Sequence, residues 1–178
     1  MRRRLVLVGL VALVVVVVGL AVVVVRPNLV DQRDAVDERW QPIHRALLSR
    51  YDALSLLTTA VSTASGESRD VVEQTRDALG RWAEADGAGA ETQVRVANQL
   101  EGLASRLTAT VTASSRLSTT PEVVTELERL STAVVAPAAV ESYNDAVRPY
   151  NEARSSLTGQ PVAAVFGFEA RTAFASVR

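Results

Sequence analysis

The chain has 178 residues, with 19 basic and 20 acidic side chains and a formal net charge of −1. It contains no cysteine, which excludes disulfides, thiolate zinc sites and a cysteine nucleophile. It also lacks the basic patch that nucleic-acid binding requires, so we expect no nucleic-acid partner.

An apolar run opens the chain. Residues 5–25 are uninterrupted apolar residues that follow three arginines and end at Arg26 and Pro27. As a helix, this run would be about 30 Å long, the thickness of a hydrocarbon core. It predicts a single transmembrane signal-anchor at residues 1–26 and one domain at residues 27–178. A cleaved signal peptide is the alternative, although its apolar region usually spans only about 7 to 15 residues.

The arginines that flank the run bear on its orientation. Arg2, Arg3 and Arg4 crowd its N-terminal side, whereas an equal number of arginines, Arg26, Arg33 and Arg39, is spread along the chain after it. Dense positive charge close to a span favours the cytoplasmic side. We therefore expect a single-pass protein of the cell membrane with its N-terminus inside and the bulk of the chain extracytoplasmic.

A helical seam follows the anchor. Between residues 29 and 61, apolar residues recur in steps of three, four and seven, which is typical of a coiled-coil-like helix face. Pro42 lies inside this helix, where it removes one backbone hydrogen bond and clashes with a preceding carbonyl. We expect a kink or short break near Trp40.

Three further helices are predicted. The second covers residues 67–85, the third about residues 91–117, and the fourth about residues 121–157, with bends at Pro137 and Pro149. No segment alternates like a strand. The sequence therefore predicts an all-α protein, in which a single N-terminal transmembrane helix precedes an elongated, antiparallel, up-and-down four-helix bundle.

Arg50 interrupts the first seam at a position where the periodicity predicts an apolar residue. A guanidinium that faces inward needs a partner. Asp52 is too close in sequence to share its face, so we expect Glu101 or Asp145 to pair with it. Both a structural ion pair and a ligand contact remain open for Arg50.

The fourth helix carries a second group of polar residues along its seam. Tyr143 and Tyr150 lie seven residues apart on one face, each followed by an asparagine, and Arg154 lies one turn beyond. Tyrosines in this pattern are typical of core residues with a hydrogen-bonded hydroxyl, and the asparagines could fix the register of a neighbouring helix. The candidate interaction or buried polar contacts are Arg50, Asp52, Tyr143, Asn144, Tyr150, Asn151 and Arg154.

No pattern indicates catalysis. The chain has no nucleophile elbow, P-loop or H-E-x-x-H motif. His44 is its only histidine, and neither a cysteine nor a second histidine is present to complete a common metal site. We expect no catalytic, cofactor-binding or metal-binding residues, and a protein that is not an enzyme.

Two separated motifs resemble one known family. The segment YNDAVRPYN at residues 143–151 resembles the YNxxVxxYN segment of the bacterial LemA family, and residues 166–168 fall where that family has a Gly-Phe pair. The segment NLVDQRDAVDERW at residues 28–40, followed by Arg50-Tyr51-Asp52, is similar to the family's opening. The chain also departs from the pattern, with Ser55-Leu56 in place of Pro-Asn and Arg154 in place of an apolar residue, so it resembles a divergent member.

The resemblance implies a single anchor and an elongated helical bundle, and no established reaction. Our first hypothesis is a non-catalytic scaffold or protein-interaction module of the bacterial cell envelope. Its expected partners are the membrane and other envelope proteins, and the sequence does not predict its oligomeric state. The alternative is a sensor-like bundle that binds a small solute between helices through Arg50, Arg154, Tyr143 and Tyr150.

Three phenylalanines near the C-terminus form a last candidate group. Phe166, Phe168 and Phe174 lie in a segment that the predicted order of helices returns to the bilayer. Aromatic residues are enriched at membrane interfaces. We expect these residues either at the lipid interface or as a cap on the bundle core.

Overall fold

The structure is a computed structural model that describes residues 2–64 and 68–175, with the side chains of residues 2–18, 20 and 21 left out. The predicted signal-anchor at residues 1–26 therefore lies largely outside the described side chains. Within the described part, no helix combines the length and apolar character needed to cross a membrane.

The described residues form six α-helices, one short 3-10 turn and no strand, which confirms the all-α class. The helices, in chain order, are α1 (Arg2–Ala64), α2 (Arg69–Glu84), α3 (Ala90–Ala113), α4 (Pro121–Thr132), α5 (Pro137–Ser155) and α6 (Gly159–Phe166). The 3-10 turn, Leu117–Thr119, lies between α3 and α4.

The predicted fourth helix is wrong in its extent, because it is divided into α4 and α5. The chain leaves the helical conformation at Ala133 and re-enters it at Pro137. Proline disfavours the helical conformation of the residue before it and is accommodated best in the first turn of a helix. Pro137 therefore starts a helix, whereas Pro149 lies inside α5 and does not end it.

Prolines in α1 have little effect on its continuity. The helix passes through both Pro27 and Pro42, so the predicted break near Trp40 does not occur. The seam predicted between residues 29 and 61 is buried as expected, and its fully buried members are Leu29, Val36, Trp40, Ile43, Leu47, Leu54, Leu57 and Val61.

The backbone divides into two compact units. Unit 1 comprises Met1–Glu38 and Asp145–Arg171, and unit 2 comprises Arg39–Asn144 and Thr172–Arg178. In unit 2, the buried seam of α1 is joined by apolar residues of α2 and α3, among them Val72, Leu100 and Leu107. In unit 1, the buried apolar residues are Leu29, Val36, Val147, Tyr150, Val162, Ala163 and Phe168.

Candidate functional site

The main chain after α6 is held by side chains. Gly167 ends α6 with a left-handed φ of 69°, where its lack of a Cβ removes the steric cost. Residues 168–175, which we call the C-terminal segment, then continue without helix or strand. Main-chain groups outside regular structure still need hydrogen-bond partners when they are buried.

In unit 2, the first Tyr-Asn pair of α5 supplies such partners. The Tyr143 hydroxyl donates to the carbonyl of Thr172 at 2.9 Å. The Asn144 side chain donates to the carbonyl of Phe174 at 3.0 Å and accepts from the Phe174 N–H at 2.9 Å. The asparagine amide thus satisfies both main-chain groups of one residue, as a neighbouring strand would.

Helix α3 binds the same stretch of unit 2. Asn98 donates to the carbonyl of Ala173 and accepts from the N–H of Ala175, both at 2.9 Å. Glu91 accepts from the Thr172 N–H at 2.7 Å and from its hydroxyl at 2.6 Å. Sequence reasoning missed both α3 residues, because neither interrupts an apolar seam.

Phe174 lies in the core of unit 2 and is only 2% exposed. Its ring centroid is 5.6 Å from that of Trp40, which in turn is 5.4 Å from Tyr143. The Trp40 indole donates to the side-chain oxygen of Gln93 at 2.8 Å. The prediction of a membrane-interface role for Phe174 is therefore wrong, because its ring fills an aromatic cluster inside the unit.

In unit 1, the second Tyr-Asn pair repeats the pattern. Tyr150 donates to the carbonyl of Glu169 at 2.7 Å, and Asn151 bonds both the N–H and the carbonyl of Arg171 at 2.9 and 2.8 Å. Arg154 donates to the carbonyl of Phe168 at 2.7 Å. Phe168 is 6% exposed, so its predicted place at the lipid interface is also wrong.

Each asparagine thus bonds the main chain of the segment within its own unit. Asn144 bonds Phe174 in unit 2, and Asn151 bonds Arg171 in unit 1.

A salt bridge also holds the segment in unit 1. Arg171 donates to both carboxylate oxygens of Asp37, at 2.8 and 2.9 Å, with its side chain only 11% exposed. Burial raises the pKa of Asp37 above its ordinary value although Arg171 opposes this. Burial likewise raises the pKa of the Tyr150 hydroxyl, which keeps it protonated as a donor.

Arg50 lies in unit 2 and pairs with Glu101, one of the two acids named from the sequence. Its Nε and Nη2 atoms lie 2.8 and 3.1 Å from the two carboxylate oxygens, and Glu101 is nearly fully buried. Its Nη1 donates to the carbonyls of Leu130 and Ala133 at the end of α4, at 3.2 and 3.0 Å. Arg50 therefore neutralises a buried acid and caps a helix C-terminus.

Two acidic residues named in the sequence analysis, Asp145 and Asp52, do not lie in buried polar contacts. Asp145 forms an exposed pair with Arg148 in unit 1. Asp52 is exposed, so it is not a buried polar contact, and a role for it in an interaction stays a prediction. Its neighbour Tyr51 is buried instead and donates to the carbonyl of Ala97 at 3.1 Å, and burial raises the pKa of its hydroxyl.

A half-open cavity of about 710 Å³ lies beside Arg50 in unit 2. The apolar linker between α4 and α5 forms one wall, with Val134 67% exposed. Glu141, Asn144 and Phe174 line other parts of it. The cavity combines apolar walls with a few polar groups, as small-molecule sites do.

The described fold is thus a helical bundle whose C-terminal segment is fixed by two Tyr-Asn pairs. The family model described as the LemA family matches residues 39–178. This match covers most of the chain, and the chain belongs to the LemA family. No curated protein matches the chain significantly.

Proposed function

We propose that the chain is a membrane-anchored, non-catalytic scaffold or protein-interaction module of the bacterial cell envelope. One observation carries the proposal. The polar residues that stand out in the sequence of α5 bind main-chain groups of the C-terminal segment, through Tyr143, Asn144, Tyr150, Asn151 and Arg154. Because these side chains stabilise the fold, they support a protein that acts by binding partners at its surface.

In this proposal, residues 1–26 are the signal-anchor, and the domain of residues 27–178 lies outside the cytoplasm as an up-and-down helical bundle. The apolar run and the arginines before it support the anchor and its orientation. A reporter that is active on only one side of the membrane, fused after Arg178, tests the orientation. Activity confined to the cytoplasm would contradict it.

Exposed apolar residues of α1 offer places to detect envelope partners. Leu48 and Leu56 are 45% and 44% exposed, whereas the adjacent Leu47 is fully buried. A photo-crosslinking amino acid at either exposed position should yield discrete protein adducts in intact cells. The same amino acid at Leu47 is the matched control and should yield none. Abundant protein without adducts at both exposed positions would count against an interaction module.

A small-solute sensor is the second candidate, favoured by the cavity beside Arg50. Of the four residues predicted to contact the solute, Arg50 lines this cavity. The hydroxyls of Tyr143 and Tyr150 and the Nε of Arg154 already donate to main-chain carbonyls. A panel of small amphiphilic anions and cations, added one at a time, would test the candidate by thermal shift. A saturable shift that Val140→Trp removes supports a sensor, and the absence of any shift across the panel contradicts it.

A further inference from the structure

Helix α6 is apolar on both of its sides. Residues 155–168 contain no charged side chain, in a chain with 22% charged residues. Val162 and Ala163 are buried in unit 1, whereas Val165 is 77% and Phe166 43% exposed. We call the exposed apolar residues of α6, together with Leu157 just before the helix, the α6 face, and its members are Leu157, Pro161, Ala164, Val165 and Phe166. A group of exposed apolar residues of this kind usually marks contact with a membrane or a partner.

A contact within unit 1 places this face beside the end of the apolar run. The guanidinium carbon of Arg26 lies 5.1 Å from the centroid of the Phe166 ring. Arg26 is the first charged residue after residues 5–25, and Val23 and Val24 just before it are 71% and 69% exposed. Phe166 therefore lies at the level of α1 where the proposed anchor would leave the hydrocarbon core.

The fold itself fixes how α6 presents this face. A side chain at Gly159 would collide with the carbonyl of Ala153, so the start of α6 lies directly against α5. At the other end, the N–H of Phe168 donates to the carbonyl of Ala163 at 3.0 Å across the Gly167 turn. Both ends of the helix are thus fixed within unit 1, and these contacts hold its exposed apolar side chains in place.

We propose that the α6 face lies in the boundary between lipid headgroups and acyl chains. This inference rests on the proposed anchor. Apolar and aromatic side chains bury themselves at this depth, and arginine extends its guanidinium to the headgroups. Arg26 lies over the ring of Phe166, so a residue suited to the headgroups and a residue suited to the acyl-chain boundary are in contact. A lipid surface fits this face because Phe166 lies against Arg26, the first charged residue after the apolar run of residues 5–25.

The chain has no cysteine, so single fluorophores can be attached at introduced cysteines. The full chain is reconstituted in vesicles of phosphatidylcholine and phosphatidylglycerol that carry a nitroxide either in the headgroup region or deep in the acyl chains. A fluorophore at Val165→Cys should be blue-shifted and lose most of its emission to the shallow nitroxide, and less to the deep one. A fluorophore at Leu48→Cys, which is also exposed, should be quenched by neither.

A fluorophore at Val23→Cys separates this inference from the anchor. Quenching at Val23 without quenching at Val165 would leave the anchor standing and overturn the α6 contact. Quenching at neither position would overturn both. A blue shift at Val165 without quenching by lipid nitroxides would show that protein covers the face, which also overturns the inference. If Val165→Cys does not fold, Leu157→Cys, 93% exposed, provides the same readout.

Discussion

Asn144 holds Phe174 by both main-chain groups, with hydrogen bonds of 3.0 Å to its carbonyl and 2.9 Å from its N–H. The two residues are thirty positions apart, and the bonds place the Phe174 ring against Trp40. The amide of Asn144 thereby helps to hold an aromatic core residue in position. The Tyr-Asn pairs of α5 therefore have a structural role, which accounts for the residue types at these positions.

Asn144→Ala should destabilise the protein by about 2 kcal/mol. The substitution removes two hydrogen bonds and leaves the N–H and carbonyl of Phe174 without a partner in a largely buried place. Thermal unfolding followed by circular dichroism measures the effect. Ser142→Ala, two residues earlier and exposed on the same helix, is the control and should change stability by less than about 0.5 kcal/mol. Equal effects of the two substitutions would contradict a stabilising role for the hydrogen bonds between Asn144 and Phe174.

Arg50→Leu should destabilise the protein by about 3 kcal/mol, because it leaves Glu101 buried without its partner. Replacing both members of the pair, with Arg50→Leu and Glu101→Leu together, should recover a large part of that loss. Chemical unfolding of the two single variants and the double variant gives the coupling energy. Arg148→Leu breaks an exposed pair and should cost less than about 1 kcal/mol. A double variant as unstable as the sum of the singles would contradict the coupling.

Asp37 should titrate above its ordinary pKa of 3.8, since burial outweighs the attraction of Arg171. The folded state then binds this proton more tightly than the unfolded state. The contribution of Asp37 to stability is therefore present below pH 3.8 and is lost as the pH rises through the raised pKa. The stability advantage of the wild type relative to Asp37→Asn should accordingly shrink as the pH rises through that window.

The carboxyl carbon chemical shift of Asp37, followed by NMR against pH, measures this pKa directly. Arg171→Met should raise it further, because Arg171 favours the charged carboxylate. A pKa that falls after Arg171→Met, or a wild-type value below 3.8, would contradict the role assigned to burial.

Gly159→Ala should be strongly destabilising. The added Cβ would meet the carbonyl of Ala153, and a backbone atom cannot move aside as a flexible side chain can. Gly102→Ala is the control, since Gly102 is exposed inside α3 with open space around it. That change should stabilise the protein by about 0.5 to 1 kcal/mol. Melting temperatures that move in the same direction would contradict the close approach of α5 and α6.

The helical class and the first seam could be predicted because apolar periodicity persists over many turns. Helix α6 could not, since eight residues containing a glycine and a proline carry too little periodicity. The division of the fourth helix depends on Pro137, for which the sequence predicts a bend inside a helix. In the structure it occupies the start of one, where a missing N–H costs least.

The sequence predicts only those residues of the candidate site that interrupt an apolar seam. The Tyr-Asn repeat and Arg50 stand out because they interrupt apolar seams. Glu91 and Asn98 do not, and they bind main-chain groups more than seventy residues away. Hydrogen bonds to main-chain groups do not depend on the side chains of the bound segment. The sequence of that segment therefore gives no sign of them, and they become visible only in the structure. Burial of Phe174 likewise follows from its contacts, which the order of helices alone does not give.

Side chains of the bundle fix the main chain of the C-terminal segment. Amide hydrogen exchange, measured residue by residue by NMR, reports on this directly. The N–H groups of Arg171, Thr172 and Phe174 donate to Asn151, Glu91 and Asn144, and we predict slow exchange at all three. In Asn144→Ala, the Phe174 amide should exchange much faster. Exchange at the rates of an unstructured peptide in the wild type would contradict the claim.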